Sequence, residues 1–115
     1  MSALRTFNVE AGFPPLEEAR KLVIAELRRA RREKVRVLKV IHGYGSTGKG
    51  GKLCFGLRKS FALRKQEGVI KESIPGESFS IFNPTVLQLL DAVPELRGDP
   101  DLNATNEGVT VLWLS

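Results

Sequence analysis

The sequence predicts an α/β fold, a two-layer α/β sandwich in which two helices cover one face of a four-stranded mixed sheet. Short segments rich in β-branched residues alternate with two longer segments of helical periodicity, in the order β-α-β-α-β-β with an insertion before the last strand. The chain has 115 residues, 42% of them hydrophobic and 27% charged, so we expect residues 1–115 to form a single globular domain.

The first half of the chain predicts a strand, a helix and a second strand. Residues 4–10 alternate between apolar and polar side chains, as in a half-buried strand. A pair of prolines suits the first turn of a helix over residues 16–33, whose apolar side chains recur every three or four positions. Residues 35–42, rich in valine and isoleucine, give the strongest strand signal. Because crossovers between parallel strands are right-handed, we expect both helices on the same side of the sheet.

The second half predicts a helix over residues 52–66 and strands over residues 69–74 and 108–114. Residues 76–106 are rich in Pro, Gly, Asn and Asp, which predicts an insertion or flap before the last strand. Its one apolar stretch, residues 86–93, predicts a short helix. We expect the leucines of this stretch to close the open face of the sheet, and binding of a partner is the alternative.

Charge is distributed unevenly along the chain. The net charge is +5, yet residues 1–71 carry 17 Lys and Arg against 6 Asp and Glu, whereas residues 72–115 carry one Arg against 7 Asp and Glu. This asymmetry favours an anionic partner, nucleic acid first, although two solvated surfaces of opposite sign would give the same counts. Seven residues, which we call the basic run, are predicted to contact phosphates: Arg28, Arg29, Arg31, Arg32, Lys34, Arg36 and Lys39.

Cysteine usage and hydropathy exclude several classes of protein. The single cysteine, Cys54, rules out an intrachain disulfide and a cysteine-based zinc site, and we expect it to be buried. No apolar run approaches the ~20 residues that span a bilayer, and the N-terminus lacks the apolar region of a secretory signal. We therefore expect a cytoplasmic protein with no membrane partner. The sequence indicates no cofactor, and a divalent metal is compatible with it but not indicated.

The segment that carries most of the chemistry is the loop over residues 43–51, between a strand and a helix. Five of its nine residues are glycines, which lack a Cβ and therefore let backbone N–H groups converge on an anion. The start of the following helix adds partial positive charge. Lys49 and Lys52 add full charges, and Ser46 and Thr47 add hydroxyl donors. Together these features favour a phosphate site over a loop that only allows close packing.

The same loop argues against hydrolysis of ATP or GTP. Residues 43–49 fit the spacing G-x-x-x-x-G-K, but Gly50 stands where a P-loop has the Ser or Thr that binds Mg²⁺. The chain also lacks the strands of a doubly wound nucleotide-binding sheet.

The glycine pattern resembles that of the Smr domain, the small MutS-related domain. Residues 42–45 (HGYG) match the His-Gly-x-Gly element of that family, and residues 47–50 (TGKG) fit its second glycine element. The resemblance covers residues 5–75 and 107–115. It implies nucleic-acid binding, and members of the family are associated with endonuclease activity on DNA or RNA.

The resemblance also implies which residues act. The family's Leu-Asp-x-His-Gly motif, tied to cleavage, is degenerate here, because Asn8 stands for the Asp and Glu10 for the His. If the domain cleaves, we expect Glu10 as base, His42 as acid or phosphate ligand, and Lys49 as the charge stabiliser. The residues predicted to bind nucleic acid or phosphate are Gly43, Tyr44, Gly45, Ser46, Thr47, Gly48, Lys49, Gly50 and Lys52. Among these, Tyr44 is the candidate for stacking on a base.

Two alternatives stay open at this point. In the first, the leucine-rich part of residues 76–106 and the acidic last third form a protein-interaction module, and the glycine loop is structural. In the second, the loop holds a small phosphorylated ligand such as a nucleotide. The sequence also leaves open whether the nucleic acid is DNA or RNA.

Overall fold

The described part of the chain forms four strands and three helices. The computed structural model describes residues 3–44 and 51–115. The elements are β1 (Leu4–Asn8), α1 (Leu16–Arg32), β2 (Val37–Ile41), α2 (Lys52–Gln66), β3 (Glu72–Pro75), α3 (Pro84–Ala92) and β4 (Val109–Trp113), with short 3₁₀ turns at Gly76–Ser78 and Pro94–Gly98. The sheet order is β1-β2-β4-β3, with β4 antiparallel to both of its neighbours and β1 parallel to β2. The predicted α/β class and four-stranded mixed sheet are confirmed, although each strand is two or three residues shorter than predicted.

Helices α1 and α2 cover one face of the sheet, as predicted. The apolar stripe of α1 is fully buried and consists of Ala19, Val23, Leu27 and Ala30. Leu38 and Val40 of β2 face this stripe, because successive side chains of a strand point to opposite faces. Leu57 and Phe61 of α2 pack into the same core. Each large apolar side chain buried here stabilises the fold by about 1.5–3 kcal/mol.

Residues 76–106 cover the opposite face of the sheet and build a second core. The side chain of Asn83 caps the first turn of α3 by accepting a hydrogen bond from a backbone amide. Leu89 and Leu90 are buried against the sheet, whereas Leu87 is exposed. The strand residues in this core are Val37, Ile74, Val111 and Trp113. The expectation that the leucines close the open face is confirmed for the two buried ones, and α3 adds a layer to the two that the sequence predicts.

A buried ion-pair cluster ties the end of this segment to the sheet. Lys39 of β2 is 6% exposed, and its Nζ lies 3.1 Å from a carboxylate oxygen of Asp99 and 2.7 Å from one of Asp101. Burial acts to lower the pKa of Lys39, but the hydrogen bonds to Asp101 and Asp99 outweigh burial and raise it. Because its side chain faces inward and is paired, Lys39 is not available to phosphates, unlike the prediction for the basic run.

Lys39→Met should destabilise the fold by about 3 kcal/mol or more, because it leaves two buried carboxylates without their cation. Equilibrium unfolding in urea measures the loss. Lys65→Met is the matched control, since Lys65 is 48% exposed and its ion pair with Glu72 contributes only about 0–1 kcal/mol. Equal losses in the two variants would contradict a structural role for the Lys39 cluster.

The single cysteine is a core residue, as predicted, and so is the single tryptophan. Cys54 on α2 is fully buried, and burial raises the pKa of its thiol. Trp113 on β4 is also buried, and Lys71 Nζ lies 4.1 Å from the centre of its ring. In the part of the chain that the structure describes, no helix is long and apolar enough to cross a membrane.

Candidate functional site

The ends of β1 and β2 and the start of β4 meet at one edge of the sheet, which we call the carboxyl edge. Glu10 N donates to Ile41 O at 3.2 Å, which ties the residues after β1 to the end of β2. Gly43 N donates to Gly108 O at 2.9 Å, which ties the residues after β2 to those before β4. Ligands of open α/β sheets commonly bind at this kind of edge, and it is here that residues 43–51 leave the sheet.

The structure brings three of the predicted site residues together. Glu10, Gly43 and Tyr44 line an open depression of about 560 Å³ with residues 105–109. Lys52 begins α2 and is exposed. The other residues predicted to bind phosphate lie outside the described part of the chain: Gly45, Ser46, Thr47, Gly48, Lys49 and Gly50. Within residues 3–44 and 51–115, no three His, Cys, Asp or Glu side chains form a group that could hold a metal ion.

Gly43 is required by its backbone conformation and by its surroundings. Its φ is +72°, in the left-handed region that favours glycine, and a Cβ at this position would overlap the carboxylate of Glu10. The exposed Glu10 side chain therefore lies directly over Gly43. Because the Gly43 amide already donates to Gly108 O, it is not available to an anion while that bond stands.

Asn8 serves the turn after β1. Its Oδ1 accepts a hydrogen bond from Ala11 N at 3.0 Å, and its side chain is exposed on an edge strand. A carboxamide has no basic group for proton abstraction. The position that corresponds to the family's Asp is thus occupied by a residue with a local structural role.

His42 lies inside the protein, with both ring nitrogens hydrogen-bonded. It is 2% exposed, and its Nδ1 lies 2.8 Å from Gly43 O, which can only accept, so Nδ1 carries the proton. Its Nε2 lies 2.8 Å from Thr110 Oγ1. That hydroxyl accepts a hydrogen bond from Arg58 Nε at 3.1 Å, which leaves its own proton to donate to Nε2. These partners fit a neutral imidazole.

Arg58 of α2 is the centre of this network. Its guanidinium donates two hydrogen bonds of 2.8 Å to the carboxylate of Glu77, and Nη2 also donates to the carbonyls of Glu107 and Val109. Burial acts to raise the pKa of Glu77, but the hydrogen bonds from Arg58 and from its own backbone amide outweigh burial and hold that pKa below its usual value. Helix α2 is thereby fixed to the segment after β3 and to the start of β4.

The start of α2 is electropositive and carries exposed aromatic rings. Gly51 precedes the helix with a φ of +92°, and the first turn of the helix contains no acidic residue. The first N–H groups of a helix lack partners within it, so they attract negative charge. Phe55 is 59% exposed, and its ring meets the ring of Tyr44 edge-on, with the centroids 6.1 Å apart.

Comparison with known proteins gives a match in structure but not in sequence. No protein-family model and no curated protein matches the sequence. The structure matches the crystal structure of the Smr domain of Thermus thermophilus MutS2 with a TM-score of 0.58 and 18% sequence identity, covering 97% of this chain and 96% of that chain. The chain has an Smr-like fold. This agrees with the resemblance that the two glycine elements indicate.

In this Smr-like fold the basic run does not form one surface. Lys39 is paired with two aspartates, Arg36 donates to two backbone carbonyls, and Arg29 is paired with a glutamate. Three other arginines line an open depression of about 460 Å³ near the C-terminal end of α1: Arg28, Arg31 and Arg32. Because α1 returns from the carboxyl edge to the opposite edge, this depression lies roughly 20 Å or more from the carboxyl edge.

Arg58 and Phe55 belong to none of the predicted site residues. Position 58 has helical spacing from Cys54 and Phe61, so periodicity alone places its charge beside the buried stripe, where it needs a partner. Phe55 follows Cys54 and therefore lies off that stripe, which predicts an exposed ring beside the glycine loop.

The burial of His42 predicts how stability depends on pH. Burial, reinforced by the positive charge of Arg58, lowers the pKa of His42 below its ordinary value near 6.5. Between the folded pKa and about 6.5 the unfolded chain binds more protons, so the free energy of unfolding should fall as the pH drops from 7 towards 5. Urea unfolding at a series of pH values measures this slope.

His42→Gln should flatten that slope, because the sequence contains no other histidine. Carboxylates whose pKa is lowered, such as those of Glu77 and Asp101, lose their contribution only at more acidic pH. A variant as pH-sensitive as the unmodified protein over this range would show that His42 is not the group responsible.

Proposed function

We propose that the carboxyl edge binds nucleic acid through its phosphate backbone. The observation that carries the proposal is the start of α2, where an exposed lysine, Lys52, follows the glycine loop and the first turn contains no acidic residue. The N–H groups of the first turn, the helix dipole and the lysine charge all favour a phosphate at this point. The Smr-like fold supports the proposal, because the resemblance to that family implies nucleic-acid binding.

The arginine depression on α1 supports a partner of extended shape. Arg28, Arg31 and Arg32 have no ion-pair partner among the described residues, so their charges are available to phosphates. A stacked strand rises about 3.4 Å per nucleotide, so a strand of roughly seven nucleotides or more would reach from the carboxyl edge to this depression. A free nucleotide would reach only one of the two sites, which favours nucleic acid over a small phosphorylated ligand.

Lys49→Ala and Lys52→Ala should each weaken binding of both RNA and DNA, with little dependence on base sequence, because a phosphate contact carries no sequence information. Each variant should also lower the slope of log Kobs against log salt by about one. Fluorescence anisotropy with labelled oligonucleotides between about 50 and 200 mM salt measures both effects.

Lys65→Ala is the matched control, since Lys65 lies in the last turn of the same helix, away from the carboxyl edge. It should leave both affinity and salt slope nearly unchanged. The proposal would be contradicted if the unmodified protein showed no salt-sensitive binding tighter than about 10 μM at low salt. Equal weakening by Lys65→Ala would move the contact away from the carboxyl edge.

Cleavage of the bound strand is a second candidate function. The observation that favours it is the exposed Glu10 carboxylate over Gly43, in the depression that Tyr44 also lines. In this proposal Glu10 takes the proton of the attacking water or ribose hydroxyl, and Lys49 stabilises charge on the phosphate. The new P–O bond forms as the P–O bond to the leaving sugar oxygen breaks, and that oxygen takes its proton from solvent. His42 would have to leave two hydrogen bonds to act as the acid, so we assign it a positioning role through Gly43 O.

Glu10→Gln should abolish cleavage and leave binding intact or slightly tighter, because it removes both a base and a negative charge near the phosphate. The loss in rate should be about 100-fold or more, the usual range for a general base. Plasmid nicking and cleavage of end-labelled RNA measure the rate, with Glu95→Gln as the control on the far side of the sheet. Unchanged cleavage by Glu10→Gln would exclude this base. No cleavage by the unmodified protein would leave only the binding proposal.

A further inference from the structure

The exposed face of α2 carries an aromatic ring between two lysines. Lys52, Phe55 and Lys59 are exposed and follow one another at spacings of three and four residues, which places them in one row along the helix. Neither lysine has an ion-pair partner within residues 3–44 and 51–115. The row begins at the carboxyl edge, where the proposed phosphate site lies.

The ring of Phe55 is held in place although it is exposed. One side of it rests against the backbone of Gly51, since a Cβ on that glycine would lie 2.7 Å from the ring. The neighbouring Tyr44, itself 45% exposed, meets the ring at an interplanar angle of 76°. A fixed, solvent-exposed aromatic surface beside unpaired cations is typical of a site that stacks nucleobases.

We propose that this row and Tyr44, together the stacking platform, bind an unpaired base, so that the domain selects single-stranded over duplex nucleic acid. The inference rests on the proposed function, because it places the flanking phosphates on Lys52 and Lys59. These residues lie about 10 Å apart along the helix axis, with Phe55 between them. A base inside a duplex is stacked on both sides, so it has no free face for the ring.

Charge alone predicts the opposite preference, and this makes the inference testable. A duplex carries the denser phosphate charge, so a site of lysines without stacking would bind it at least as tightly as a single strand. Tighter binding of the single strand than of the duplex would therefore indicate contact with the base.

Binding is measured by anisotropy with oligonucleotides of about 12 residues, single-stranded or paired, in DNA and in RNA. The unmodified protein should bind the single strand more tightly than the duplex. Phe55→Leu keeps apolar bulk against Gly51 but has no aromatic face, so it should weaken single-strand binding about fivefold or more and leave duplex binding nearly unchanged. Phe55→Trp should restore single-strand binding, and thermal melting verifies that both variants are folded.

Phe82→Leu is the matched control. Phe82 is 90% exposed, but it precedes α3 on the other face of the sheet, and neither end turn of α3 contains a basic residue. This variant should bind both oligonucleotides as the unmodified protein does, and weakening equal to that of Phe55→Leu would overturn the inference.

The other outcomes separate the two proposals. Salt-sensitive binding that Lys52→Ala weakens, with no preference for the single strand or no effect of Phe55→Leu, would overturn the stacking platform and leave the proposed function standing. Failure to bind either oligonucleotide at low salt would overturn both. A difference in affinity between single-stranded RNA and single-stranded DNA would show which of the two the stacking platform binds more tightly.

Discussion

The guanidinium of Arg58 holds together the segments that meet at the carboxyl edge. It donates to Glu77 after β3, to Thr110 of β4 and to two carbonyls around the start of β4, and Thr110 relays the contact to His42. A planar group with five donors can satisfy this many acceptors at once, which a lysine cannot. Because Arg58 itself lies on α2, both flanks of the glycine loop are fixed to the same side chain. The residues at the two ends of the loop are therefore held by the same network, which fixes the positions of Gly43 and Lys52 relative to each other.

The second core explains how so small a sheet buries both of its faces. Residues 76–106 place α3 against β2, β3 and β4, and Lys39 secures the end of the segment through Asp99 and Asp101. The acidic surplus of the last third is thus partly internal, which weakens the alternative of an acidic docking surface. The same packing buries Leu89 and Leu90 and leaves less apolar surface for a partner.

Sequence periodicity located the helices closely, because the apolar stripe and the spacing of the caps are local features. The predicted helix over residues 52–66 has the bounds of α2. The strands were predicted too long, because alternation continues beyond the paired residues: Val35 is buried, but its amide donates to Ala30 O and closes the end of α1. The sequence does not indicate the Lys39 cluster, because its partners lie 60 and 62 residues away and because Lys39 stands in a run of basic residues that predicts a solvent-exposed charge. The helical position of Arg58 indicates a charge beside the buried stripe. Nothing in the sequence identifies its hydrogen-bond acceptors, because they lie on other segments.

The geometry divides the carboxyl edge into an acidic side at β1 and a basic, aromatic side at α2. A phosphate placed on Gly43 would meet the Glu10 carboxylate and an amide already bonded to Gly108, so Coulomb repulsion would exceed any gain there. Burial keeps His42 neutral at pH 7, so it does not offset the negative charge of Glu10. At α2, by contrast, the helix start and Lys52 add positive charge with no acidic residue in the first turn. The phosphates of a bound strand would therefore follow α2, and the hydroxyl and amino groups of its nucleotides, which can donate to a carboxylate, would face Glu10.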